Sequence, residues 1–334
     1  MPKRLHLLPF ATLLLLLPAS LFLFGPPTSI LSKETTPLPL IIWHGLGDRY
    51  DSDGLQEVGE LAQEVNPGTF VYQIRLHEDG GTDSRATFIG NLTEQLAQVC
   101  EDLSTHPILS TAPAVNALGF SQGGQFLRAY VERCNNPPVR SLVTFGSQHN
   151  GISKYQDCGA SDWLCKAWIG ILKSNTWGHL AQSTLVPAQY FRSTNDTTNE
   201  PTDDYLEYSN FLADINNERA LKNVTYAKHI AELESFVMYL FEDDTTVIPK
   251  ESGWFAQTNL ENGTVTPLKE RAIYKEDWIG LKALDEKGGL YFKTTKGPHM
   301  QLSDKVLKEV FGTFYASGWT WKGLLGKAQE IVDL

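Results

Sequence analysis

Strand-like and helix-like stretches alternate along most of this 334-residue chain, which predicts an α/β fold, a mainly parallel sheet with helices on both faces. Two observations carry that prediction. Short apolar runs without polar alternation, such as residues 38–43 and 114–120, read as strands buried on both sides. Each ends in a turn that leads to apolar residues at helical spacing. With hydrophobic residues at 42% and charged ones at 20%, the bulk of the chain has the composition of a folded globule, and wholesale disorder is excluded.

The elements follow in order. Residues 38–43 form the first strand, closed by the turn His44-Gly45-Leu46-Gly47-Asp48. Leu55, Val58, Leu61 and Val65 then share one helical face, and Asn66-Pro67-Gly68 stops the helix. A second strand is expected over 70–76, and Phe88, Leu92, Leu96 and Val99 mark the next helix. Residues 114–120 give a third strand, 122–134 a helix carrying Phe126, Leu127 and Tyr130, and 141–145 a fourth strand. From about 150 to 229 the rhythm fails. That segment is rich in Trp, Asn, Asp and Thr, has helical patches such as 163–172, and reads as an insertion or cap. Strands return at 236–240 and 289–293, and a last helix begins near Ser303. Residues 28–334 are therefore expected to make one domain with a cap-like insertion.

The first 27 residues read as a separate object. Lys3 and Arg4 precede an apolar stretch over 5–24 that is broken by Gly25-Pro26-Pro27, the pattern of a secretory leader. A retained membrane anchor is the alternative reading; Pro18 shortens the apolar core, and no later segment reaches spanning length, so no stable membrane insertion is expected after cleavage. Removing Lys3 and Arg4 takes the net charge from −11 to −13. An acidic chain without a basic stripe makes nucleic acid an unsuitable partner.

Secretion agrees with four cysteines, Cys100, Cys134, Cys158 and Cys165, which lack zinc-ligand spacing and suit two disulfides. It also agrees with four glycosylation triplets, at Asn91, Asn195, Asn223 and Asn262. No metal site or cofactor is expected.

Gly119-Phe120-Ser121-Gln122-Gly123 matches G-x-S-x-G, a weak pattern alone. Its position strengthens it, because a strand runs into Ser121 and an amphipathic helix leaves it. That is the setting a nucleophile elbow requires: a tight turn exposes the hydroxyl, and flanking glycines let strand and helix approach. A serine hydroxyl needs a base, and the base an orienting acid, in the chain order Ser, Asp or Glu, His. His299 follows the last strand in a loop before the final helix and is the expected base, whereas His229 lies in a helical stretch. The acid should close the strand over 236–240, where Glu242, Asp243 and Asp244 crowd together; pattern alone leaves the three open. The N–H groups of Gln122 and Leu46 are the natural oxyanion donors. His44 reads as a turn residue without a proton-transfer role.

The runs LIIWHGLGD over 40–48 and ALGFSQGGQFLR over 117–128 resemble the palmitoyl-protein thioesterase family. The resemblance continues through 211–219, 236–255 and 299–303, over nearly the whole chain beyond the leader. It implies the α/β-hydrolase fold, Ser121 as nucleophile, His299 as base, Asp244 as the acid, and Leu46 and Gln122 as oxyanion donors. It also implies pairing of Cys100 with Cys134 and of Cys158 with Cys165, and a glycosylated lysosomal enzyme. Animal members carry adjacent cysteines shortly after the His-Gly turn; here Tyr50-Asp51 stand there, which removes the residues for a third disulfide.

The activity so implied is hydrolysis of long-chain acyl thioesters on the cysteines of proteins or peptides. It calls for an apolar groove, since each buried methylene is worth about 0.8 kcal/mol. Trp163, Leu164, Trp168, Ile169 and Leu172 of the insertion could line that groove or simply close the cap. A lipase or carboxylesterase of the same fold would show the same triad, and a silent binding protein could keep the fold as scaffold.

Overall fold

The structure, a computed structural model, describes residues 36–156, 169–170 and 172–316. The leader, Cys158, Cys165, Trp163, Leu164 and Trp168 lie outside the described residues.

The core is a six-stranded parallel sheet. Its strands are β1 (Leu40–Trp43), β2 (Val71–Gln73), β3 (Val115–Phe120), β4 (Val139–Phe145), β5 (Ser235–Phe241) and β6 (Leu290–Thr295), in spatial order β2-β1-β3-β4-β5-β6. Strands β1, β3 and β5 are buried at every position, as their unbroken apolar runs require. The edge strand β6 instead alternates half-buried and exposed residues between its two buried ends. Parallel neighbours need crossovers, and helices supply them on both faces. This is the parallel α/β architecture of an α/β hydrolase.

On one face, α1 (Asp53–Val65) and α6 (Asp304–Phe314) cover Leu40, Ile42, Phe120, Val143 and Phe145. Lys308 pairs with Glu64 between these helices, and Asn66 Nδ2 donates to the Phe311 carbonyl. On the other face lie α3 (Leu92–Thr105), α4 (Gln122–Arg133) and α5 (Val224–Glu232), packed on Ile41, Ala117, Leu142 and Phe236. The Cys100–Cys134 disulfide ties the body of α3 to the end of α4.

Two expectations are corrected. The second strand is only Val71–Gln73, shorter than 70–76. A helix absent from the sequence reading, α2 (Gly80–Ala86), follows it, capped by Asp79 Oδ1, which accepts from Thr82 N–H. In consequence Phe88 is not on the face of α3, which starts at Leu92; it is exposed beside Gly47.

Between β4 and β5 the chain makes short helices, including His179–Thr184, Val186–Gln189 and Asp203–Tyr208. Residues 169–170 and 172–174 are also helical. Among the described residues no helix is long and apolar enough to cross a membrane.

Candidate active site

The carboxyl ends of β1, β3, β4, β5 and β6 converge on Ser121. The residue has φ 52° and ψ −124°, a conformation that L-residues rarely hold, and it caps the N-terminus of α4. Its own N–H donates to the Phe145 carbonyl (2.8 Å), so the turn is anchored to β4. The flanking glycines are needed for contact rather than flexibility. A Cβ on Gly119 would lie 2.2 Å from Gly124 Cα, and one on Gly123 would lie 2.3 Å from the Trp43 carbonyl oxygen.

Ser121 Oγ lies 3.0 Å from His299 Nε2, and His299 Nδ1 lies 2.7 Å from Asp244 Oδ2. The carboxylate accepts the hydrogen bond of Nδ1–H, which leaves Nε2 free to accept from the hydroxyl. Asp244 is buried, and its second oxygen accepts the N–H groups of Thr246 (2.8 Å) and Val247 (3.0 Å). Glu242 and Asp243 are exposed. The three acids that pattern left open are thus separated by the turn after β5, which folds only Asp244 inward.

Gly45 brings the turn after β1 against the serine; a Cβ there would lie 3.1 Å from Ser121 Cβ. Gln122 opens α4, so its N–H has no intrahelical partner. Among the described residues the N–H of Leu46 also has no acceptor. Both expected donors are therefore unengaged at the edge of the site.

The sequence reading missed the group that holds this turn. Asp83, on α2, is fully buried and accepts from His44 Nε2–H (2.9 Å), Tyr50 N–H (3.0 Å), Leu76 N–H (2.7 Å) and His77 N–H (3.3 Å). Burial alone would raise this carboxyl, but the bonds from His44, Leu76 and Tyr50 outweigh it and hold it below the usual aspartate value. Thr87 adds a second tether, its Oγ1 accepting from Gly47 N–H (2.8 Å). Tyr50 donates its hydroxyl to the Glu78 carbonyl (2.7 Å).

Two further histidines, His229 and His149, do not compete for the serine. His229 Nδ1–H donates to the Val131 carbonyl (2.9 Å) on the far side of α4. His149 is buried between Phe236 and Phe255, and burial, then Arg128, drives its pKa well below the ordinary value, so it is neutral.

A cavity of about 1220 Å³ opens around Ser121 and His299. Ile152, Tyr155, Leu185 and Tyr190 line it from the segment after β4, and Leu55, Val58, Leu302 and Leu307 from α1 and the approach to α6. Ile169 and Leu172, weighed as groove residues from sequence, are part of the wall. Phe88, displaced from its expected helix, lines the cavity with Leu46 and Ile89.

The sequence model of the palmitoyl protein thioesterase family matches residues 39–299, a span that includes Ser121, Asp244 and His299. The chain belongs to this family. It is similar to palmitoyl-protein thioesterase 1 of Caenorhabditis elegans, 34% identical over 292 residues, covering 87% of this chain and 95% of the relative. It is also similar to palmitoyl-protein thioesterase 3 of Dictyostelium discoideum, 33% identical over 263 residues, or 78% of this chain and 84% of that one. The human protein named lysosomal thioesterase PPT2 is 31% identical over 287 residues, covering 85% and 88% respectively.

The sequons present a common geometry. Asn91, Asn195, Asn223 and Asn262 each accept, through Oδ1, the N–H of the threonine two residues on, at 2.9 to 3.0 Å. The last three are exposed; Asn91 is half-buried, and its Oδ1 also accepts from Asn210 Nδ2–H.

Proposed function

We propose that this protein hydrolyses long-chain fatty acyl thioesters of cysteine in proteins or peptides, releasing the free acid and the thiol through an acyl-serine intermediate. The observation that carries the reading is the Ser121–His299–Asp244 hydrogen-bonded chain opening into a largely apolar cavity, in a member of this family.

Ser121 Oγ attacks the thioester carbonyl while His299 Nε2 takes its proton. The N–H groups of Leu46 and Gln122 receive the negative oxygen that forms. Asp244 stays ionised, keeps the imidazole in the Nδ1–H tautomer and stabilises the imidazolium. The carbon–sulfur bond then breaks, and the Nε2 proton passes to sulfur. A thiol of pKa about 8.5 is a good leaving group, so this step depends little on acid assistance. Water, deprotonated by His299, attacks the acyl-serine; the acid departs and the proton returns to Ser121.

The acyl chain occupies the arm of the cavity walled by Ile152, Tyr155, Ile169, Leu172, Leu185 and Tyr190. Each methylene covered there contributes about 0.8 kcal/mol to binding.

The enzyme enters the secretory pathway and works in the lysosome or vacuole, or outside the cell. The leader-like N-terminus, the Cys100–Cys134 disulfide and the sequon geometry support this, and Asn91, Asn195, Asn223 and Asn262 are its glycosylation sites. A second disulfide joins Cys158 to Cys165. Its partners are S-acylated proteins.

Purified full-length chain is expected to hydrolyse an S-palmitoyl cysteine peptide, to prefer it over a palmitoyl glycerolipid, and to take a fluorophosphonate on Ser121. Ser121→Ala should fold normally and lose about five to six orders of magnitude in kcat. Undiminished hydrolysis by that variant would remove Ser121 as nucleophile, and a preference for the glycerolipid would favour the lipase reading.

A further inference from the structure

The cavity around Ser121 is walled from both faces of the sheet. Ile152, Tyr155, Leu172, Leu185 and Tyr190 belong to the core cluster on the α4 face. Leu55, Phe120 and Leu307, with Val58, Leu61 and Leu302 packed against them, belong to the cluster beneath α1 and α6. A thioester has two substituents, and the cavity has two walls along which they can lie, each wall forming one arm.

Chemistry fixes which arm takes which. In the proposed mechanism the Nε2 proton of His299 passes to the departing sulfur, so the thiol-bearing group lies on the imidazole's side. The chain leaving His299 lines the α1/α6 arm through Met300, Leu302, Asp304 and Leu307. Electrostatics agrees. Glu57 on α1 and Asp304 on α6 line this part of the cavity, Asp48 lines the cavity from the turn after β1, and among the described residues none of the three is in an ion pair. Among the described residues the Asp48 side chain accepts only the N–H of Arg49. Laying methylenes against ionised carboxylates would strip their water and return no hydrogen bond, whereas a cation would meet them favourably.

We infer that the arm between α1 and α6 binds the polypeptide carrying the acylated cysteine. It favours a segment with an apolar side chain beside the cysteine and Lys or Arg within a few residues, over an acidic segment. The apolar side chain packs on Leu55, Val58, Leu302 and Leu307, and the cation faces Asp48, Glu57 and Asp304. The nearby cations do not oppose this. Arg49 is paired with Asp51 (3.3 Å), Lys305 lies outside the cavity wall, and Arg85, the one cation among the described lining residues, comes from the end of α2, just before Phe88 and Ile89. The inference rests on the thioesterase reading of Ser121 and adds to it the class of protein segment read at the leaving side.

The test compares two S-palmitoyl cysteine peptides, identical except for flanking Lys or flanking Glu, with S-palmitoyl-N-acetylcysteamine as a small neutral substrate. The Lys peptide should show a kcat/KM at least about tenfold higher at low salt, and raising the salt should compress the ratio. In Glu57→Gln/Asp304→Asn the ratio, taken within that one variant, should fall toward unity. A ratio near one for the wild-type enzyme, while all three substrates are hydrolysed, overturns this inference and leaves the thioesterase reading standing. So does a ratio that ignores salt or persists in the double variant. Failure to hydrolyse even the small thioester overturns the thioesterase reading itself.

Discussion

The Asp83 carboxylate accepts a 2.9 Å hydrogen bond from His44, both side chains buried, two residues before the N–H of Leu46. One carboxylate thereby joins the turn after β1, the chain after β2 and α2. The turn that carries Leu46, the proposed oxyanion donor, is held in place by a buried charge.

Asp83→Asn keeps the volume but offers one acceptor oxygen where four donors now converge. The expected outcome is a fall of about 10- to 100-fold in kcat with little change in KM, smaller than the loss of a whole oxyanion donor. Fluorophosphonate labelling of Ser121 should slow in parallel. A variant with a lower melting temperature and unchanged kcat would show that Asp83 serves the fold alone.

Asp244→Asn should reduce kcat by about four orders of magnitude, because an amide no longer selects the Nδ1–H tautomer of His299. Folding should survive, since the amide oxygen can still accept from Thr246 and Val247. Circular dichroism and steady-state kinetics on the same preparation check both halves.

Glu132 offers a pH signature unrelated to catalysis. It is buried on α4 beside Arg128 (2.8 Å), and its Oε2 has no partner among the described residues. Burial outweighs Arg128 and pushes its carboxyl from 4.5 to about 7. Because the folded state holds this proton more tightly than the unfolded one, the fold loses stability as pH climbs from about 4.5 to 7, on the order of 3 kcal/mol. Denaturation of the wild-type protein should therefore show a lower midpoint at pH 7.5 than at pH 5 from this residue. Glu132→Gln should flatten that slope, and an unchanged slope would assign the pH dependence to other groups.

Sequence reveals most where one physical demand dominates. The fully buried strands β1, β3 and β5 show as unbroken apolar runs, and the Ser121 turn shows because glycine alone fits on either side. Helix α2, with the composition GGTDSRA, has no apolar stripe, so neither it nor the place of Asp83 was visible. The short helices after β4 span four to six residues in several cases, too few for a period to repeat. The choice of Asp244 over Glu242 and Asp243 depends on how a loop folds back after β5, a tertiary matter that neighbouring residues do not encode. Family resemblance supplied that choice where pattern did not.

The nucleophile and its base belong to parts of the sheet that differ in durability. Ser121 directly follows β3, which is bonded on both sides by β1 and β4, whereas His299 follows β6, which has a strand on one side only. Transient fraying of that margin would carry the imidazole away while the centre stays intact. Mild denaturant should therefore silence turnover before the tryptophan signal of global unfolding moves, and dilution should restore it at once.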